Sequence, residues 1–540
     1  MTRRIYALLL GLAAVAATAG APQAAKPASD ERTALHVLNR ITFGPRPGDV
    51  ARVQQMGVDR FIDEQLHPER LPDSPMQDRL ASLDTLVMSS RDIAERFEIP
   101  AMQAQLARQQ QAGRASTEPA KPAVDQAQQL RANLPMLELS QQRVLRAVYS
   151  DRQLEEVLTD FWFNHFNVDA RKGPTRYMLT EYERDVIRPH VLGHFRDLLG
   201  ATAKSPAMLF YLDNWMSADP NGPHPDRARA DAAGLGARLR ERRDQLGARP
   251  QVRPRVQAPA PNGNAALRRP TGLNENYGRE LLELHTLGVD GGYTQKDVTE
   301  VARAFTGWTI QNPRLGGGYR FAANLHDDGE KRVLGHVIPA GGGERDGEDV
   351  LDIVANHPST ARFISTKLAR RFVSDTPPSA LVDRMAATFT KTHGDLREVM
   401  RTLLTSREFL SKDIERVKVK NPFEFVVSSL RATGADVNNA LPTVRAIGQL
   451  GMPLYQCQPP TGYKDSADTW VNTGALVNRM NVALTLASGR LPGVKLSAPP
   501  SADSILGLAL SESTRSTMAR ATTNEQSLAL ALGSPEFQRR

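Results

Sequence analysis

Apolar residues recur along most of the chain at the i, i+3, i+4 spacing of one helix face. That spacing predicts helices over 34–38, 50–56 and 61–66, then one or two over 137–166. Helices over 178–187, 189–203, 273–287 and 295–308 follow. The same period returns at 348–355, 360–373, 380–390, 396–405, 422–433, 441–450, 473–488 and 526–532. Local punctuation agrees with the pattern. Gly44, Pro45 and Pro47 break the first helix, Thr294 and Asp297 have capping-box spacing, and Gly288 stands where a C′ residue belongs. Residues 319–321 and 333–337 read instead as strands, and Asp327-Asp328-Gly329 between them predicts a β-hairpin. The expected fold is mainly α, a multi-helix globular protein with a small β-hairpin element.

Two stretches carry no period. Residues 103–134 are rich in Gln, Ala and Pro and read as a low-complexity linker with frayed helical ends. Residues 219–270 are rich in Arg, Pro and Ala and poor in large apolar side chains, so they read as a long disordered insert. They divide the chain into an N-terminal helical part over 31–218, a central and C-terminal part over 271–491, and a linker with a final helix over 492–540. One short echo links 403–409 to 531–537, each ending in Phe. Two distant copies make no solenoid, and both read as helix ends where a Phe docks.

The first residues read differently again. Arg3 and Arg4 precede an apolar run from Ile5 to Ala17, and Ala17-Thr18-Ala19 has the small residues of a cleavage site. Residues 1–19 are expected to be a signal peptide cut before Gly20, placing the protein in the periplasm or outside the cell. The n-region is too short for a good twin-arginine signal, so the Sec route is expected. No later apolar run reaches the length of a membrane helix.

Charge then narrows the partners. The 540 residues carry a formal net charge of +8, which falls to +6 without residues 1–19. Residues 219–270 hold eleven arginines and five acids, so they account for the whole remaining excess. The high pI belongs to an insert, and that insert has no aromatic residue on which a base could stack, so no nucleic-acid partner is expected. The single cysteine, Cys457, rules out an intramolecular disulfide and is expected to be buried or a free reactive thiol. No Gly-x-Ser-x-Gly elbow, P-loop or dinucleotide fingerprint occurs.

Several strings resemble a large bacterial family catalogued as domain of unknown function 1800. They are Ala34 to Arg40 with Phe43-Gly44-Pro45, and Phe161-Trp162-Phe163-Asn164-His165-Phe166. Asn274 to Gly288, Phe305-Thr306-Gly307-Trp308 and His326 to Lys331 follow, then Pro459-Pro460-Thr461-Gly462-Tyr463 and Ser534-Pro535-Glu536-Phe537. The resemblance covers residue 31 to the end. It implies an exported bacterial protein with a possible sulfatase-like exported partner encoded nearby, and it transfers no catalytic residue.

The candidate chemistry therefore rests on the residues. Glu280 and Glu283 lie about 60° apart on a helix and share a face, so burial together would raise one pKa and make an acid–base pair. They could also join a divalent metal with ligands from elsewhere. His285 lies about 160° from Glu283 and cannot chelate with it. His165 sits one turn after Phe161 in an aromatic run and needs a partner if buried. His326 and Asp327 open the expected turn, where Asp suits turn chemistry but an imidazole has no local reason. His190 and His194 have i, i+4 spacing on a helix, without the Glu of a zinc-protease motif.

Two functions follow. One is an enzyme with a carboxylate–histidine site built from Glu280, Glu283, His326, Asp327 and His165, either metal-free or performing metal-assisted hydrolysis. The other is a non-catalytic exported binding or assembly protein working with the sulfatase-like partner.

Overall fold

The computed structural model describes residues 30–112, 126–222, 272–313, 315–497, 500–506 and 510–540. The expected signal peptide, most of the basic insert and residues 113–125 lie outside this set. The fold is mainly α with three small two-stranded sheets among the described residues. One apolar core runs from Ala34 to Phe537 and takes residues from all three parts of the chain.

The helices start and stop where the residues direct. Thr294 and Asp297 form a reciprocal capping box on helix Gln295–Ala304. Gly288 adopts φ +84° past the segment that ends at Thr286, the left-handed C′ geometry that glycine tolerates best. The region expected to be a linker is helical where it is described, in Ile99–Ala112 and Gln126–Tyr149. The Phe echo is structural. Ser406 and Ser534 each accept the backbone N–H of the Phe three residues on, and Phe409 and Phe537 are both buried.

Two expectations are corrected. Residues 319–321 and 333–337 do not pair with each other. Tyr319–Phe321 pairs antiparallel with Trp308–Ile310, and Lys331–Val333 pairs with His336–Ile338. Leu334 (φ 49°) and Gly335 (φ 84°) both take the left-handed backbone of a tight two-residue hairpin turn, which a leucine does not advertise. His190 and His194 do not share a helix either. His190 ends the 3-10 turn Arg188–His190, and His194 caps helix Phe195–Lys204.

Three packed pieces position the cleft described next. Helix Gln153–His165 is buried on almost every side, and it ends at His165. Helix Pro358–Phe372 starts with Pro at its first turn and His357 as N-cap. On it Phe363, Lys367, Arg370 and Arg371 fall within about 100° of arc and face one way. The third piece is the irregular chain from Met452 to Trp470.

Candidate functional site

These pieces enclose a cleft of about 560 Å³. Its walls mix apolar and charged groups. Phe161, Phe363, Leu284, Met452, Leu454 and Trp470 supply the apolar surface. The irregular segment is clamped in place by two asparagines. Asn164 donates to the Tyr463 carbonyl (2.8 Å) while its own carbonyl accepts the Tyr463 N–H (2.7 Å). Asn167 donates to the Cys457 and Pro459 carbonyls, each at 2.9 Å. Gly462 has φ +72°, and a side chain there would run into the Asn164 carbonyl oxygen.

A network of paired charges forms part of the cleft wall, through Arg143, Asp160, Arg371, Asp375 and Asp465, and continues behind it. Arg143 is ion-paired to Asp160, and Arg371 reaches Asp160 (3.3 Å) and Glu424 (2.7 Å). Arg540 also meets Glu424 at 3.0 Å. Burial alone would raise the Glu424 pKa, but the charges of Arg371 and Arg540 outweigh it and hold the carboxyl down to about 2. Lys418 pairs with Asp375 at 2.6 Å and with Asp465 at 3.3 Å.

Lys367 departs from this pattern. Among the described residues no carboxylate lies within ion-pair distance of it. Its Nζ instead stands 2.7 Å from Nδ1 of His165. The tautomer follows from the other ring nitrogen. His165 Nε2 lies 3.1 Å from the His285 carbonyl oxygen, which only accepts, so Nε2 carries the proton. Nδ1 is therefore the bare acceptor, and Lys367 donates to it. The His285 carbonyl belongs to a helix end, where carbonyls lack intrahelical donors, so His165 satisfies it.

Electrostatics sharpen the pairing. Burial, then the nearby Arg370 charge, push the Lys367 ammonium down to about 8. Burial and Lys367 drive His165 well below the ordinary imidazole range, and the same causes take His285 to about 3. Both imidazoles are neutral at physiological pH. Cys457 also lines the cleft, but it is buried, and desolvation pushes its thiol up to about 11, so it is no ready thiolate.

The sequence-derived candidates are distributed over three places. His165 lines the cleft. Glu280 and Glu283 are half-buried neighbours, and burial followed by the Glu283 charge raises the Glu280 pKa. Neither lines the cleft, and Glu283 accepts a hydrogen bond from the Tyr293 hydroxyl at 3.2 Å. His326 and Asp327 form a separate polar cluster. His326 is buried, with Nδ1 2.8 Å from the Thr306 carbonyl and Nε2 3.1 Å from Asp346, which also binds Lys331 at 2.5 Å. Asp327 takes a two-point hydrogen bond from Arg303. These contacts knit the small β region to helix Glu344–Ala355 and give His326 its reason. Among the described residues no group of three or more His, Cys, Asp or Glu side chains could hold a metal ion.

Sequence reasoning missed Lys367, Arg370 and Arg371. Their spacing on the helix was visible, Lys367 one turn and Arg370 and Arg371 two turns beyond Phe363. That no carboxylate among the described residues comes within ion-pair distance of Lys367, and that His165, 202 residues away, does, is a tertiary fact.

No curated protein and no solved structure matches the chain. A family model described as "Protein of unknown function (DUF1800)" matches residues 36–539, nearly the whole length, and the chain belongs to that family.

Proposed function

We propose that the protein is an exported enzyme acting on a small organic substrate in this cleft, with Lys367 as its reactive amine and proton-transfer group. One observation carries the reading. Lys367 lines an organic-molecule-sized cleft, partly buried, has no carboxylate within ion-pair distance among the described residues, and is held 2.7 Å from the unprotonated nitrogen of a neutral histidine. A lysine so placed titrates near the working pH, which suits general acid–base or nucleophilic work. His165 keeps its place from the sequence reading. The amine takes the role first sought in Glu280 and Glu283. Export rests on Arg3, Arg4 and the apolar run to Ala17.

Trace labelling with acetic anhydride across a pH series, followed by peptide mass spectrometry, tests the reading. Lys367 should label with a midpoint near pH 8. A midpoint at or above about 10, that of an ordinary lysine, overturns it.

A second reading draws on a different surface. Leu476, Val477, Met480 and Leu484 form an exposed apolar stripe on helix Thr473–Ala487. Such a stripe supports an assembly role, with the sulfatase-like exported protein as its occupant. Co-purification that survives in wild type and fails in Leu476→Ser/Leu484→Ser would favour it. A protein that elutes alone in mild extracts counts against it.

A further inference from the structure

We infer that Lys367 forms an imine with the carbonyl carbon of an aldehyde or ketone that also bears an anionic group, with Arg370 and Lys464 receiving the anion. This deepens the function proposed above and rests on it.

The geometry supports each element. An imine-forming lysine needs its free amine, apolar neighbours that partly desolvate it, and a neighbour that moves protons. Lys367 has one N–H committed to His165 Nδ1, which leaves the lone pair of the neutral amine free to face the cleft. The groups facing it are Arg370 on its own helix, the neutral His165 and His285, and Asp465 across the cleft. Asp465 does not neutralise it, because its ion pairs are with Lys418 (3.3 Å) and Arg371 (3.8 Å).

The anion follows from the remaining charges. Arg143 and Arg371 are already paired with carboxylates. Arg370 and Lys464 line the cleft, are exposed, and make no ion pair among the described residues. The apolar walls from Phe161, Phe363 and Trp470 accommodate the carbon skeleton between the two ends.

The step balances without an oxidant or a metal. The Nζ lone pair attacks the carbonyl carbon, so a C–N bond forms and the C=O π bond breaks. The ammonium proton passes by way of His165 Nδ1 to the new oxygen, giving a carbinolamine. The remaining N–H proton of the carbinolamine then passes by the same route to the hydroxyl, the C–O bond breaks, water leaves, and the nitrogen lone pair closes the C=N bond. His165 also aims the amine, so its loss should slow addition more than it weakens noncovalent occupancy.

The experiment uses the full-length protein with sodium cyanoborohydride and two probes, glyoxylate and acetaldehyde. Reduction fixes any imine as a stable secondary amine, and peptide mapping locates it. A pKa near 8 against about 10.4 for an ordinary lysine gives a free-amine fraction on the order of a hundredfold larger at pH 7.5. Glyoxylate should therefore modify Lys367 far ahead of the surface lysines and ahead of acetaldehyde. Lys367→Arg should abolish that adduct, and Arg370→Gln should slow glyoxylate more than acetaldehyde and so remove the preference, the acetaldehyde rate itself falling modestly because the Arg370 charge no longer depresses the Lys367 pKa. Adducts spread evenly over surface lysines, or equal rates for both probes, would overturn the inference. If acetic anhydride still finds a midpoint near pH 8 while no imine is trapped, only the carbonyl chemistry fails. If that midpoint is ordinary, the broader reading fails with it.

Discussion

Replacing Lys367 with methionine should make the protein more stable at neutral pH, and the size of the gain should depend on pH. The folded protein holds the Lys367 pKa at about 8, against 10.5 for the free side chain. Unfolding therefore takes up a proton between those two values, so stability rises with pH across the window. Below pH 8 the full cost of confining the charge is present. The shift of 2.5 units corresponds to about 3 kcal/mol, and about 2 once residual water in the cleft is allowed for. Methionine matches the length of the stem and carries no charge, so it removes that cost. Urea unfolding of wild type and Lys367→Met at pH 7 and at pH 10 provides the measurement. The variant should gain about 2 kcal/mol at pH 7, and the gap should narrow sharply by pH 10. A variant that is destabilised equally at both pH values would refute the reasoning, because Lys367 would then be contributing a contact and not bearing a confined charge.

Other outcomes follow from neighbouring features. Glu424→Gln should cost about 3 kcal/mol at pH 7, since the folded carboxyl is held at about 2. That stabilisation is fully present above about pH 4.5 and disappears as pH falls through 2, so acid unfolding curves of the two proteins should converge there; parallel curves would sink the assignment. Gly462→Ala should lower Tm by several degrees through its φ of +72° and the Asn164 carbonyl, while a melt within error of wild type would show that the clamp is slack. Ser217 and Gly272 are bridged side by side, with Ala218 N–H on the Gly272 carbonyl at 3.0 Å. A short Gly/Ser linker in place of 223–271 should therefore leave Tm within about 2 °C, and unfolding on replacement would make the insert part of the fold.

Local signals in the sequence carried far because they act over a turn or two. The Thr294/Asp297 box, Gly288 and the Ser-x-x-Phe turns each need only neighbours three or four residues away, and each stands as read. Strand pairing was less legible. The turn that decides it uses Leu334 at positive φ, and leucine gives no such warning. The candidate site was half visible. The aromatic run around His165 announced a buried imidazole needing a partner, and the structure supplies two, Lys367 and the His285 carbonyl. His326 also needed partners, yet Thr306 and Asp346 each lie only 20 residues from it, so its contacts are those of a local brace. Lys367 was out of reach because the informative fact is that no carboxylate among the described residues comes within ion-pair distance of it, while His165 from a distant segment does.

The pairing of Arg540 with Glu424 has a consequence for the order of folding. Residues 538–540 also exchange backbone hydrogen bonds with Lys418 and Lys420, and the Arg540 side chain donates to the Arg371 carbonyl. At the other end, His36 binds the Phe409 carbonyl at 2.7 Å and Arg32 reaches Glu415 at 2.5 Å. Partners so remote in sequence close large loops before any contact repays the entropy, which places the chain among slow folders. During synthesis, Asp160 and Arg371 have both emerged long before Arg540. Until it arrives, the charge balance behind the cleft wall is incomplete, and the helices already made have no finished floor to pack on. Assembly of the cleft therefore draws both ends of the described chain together.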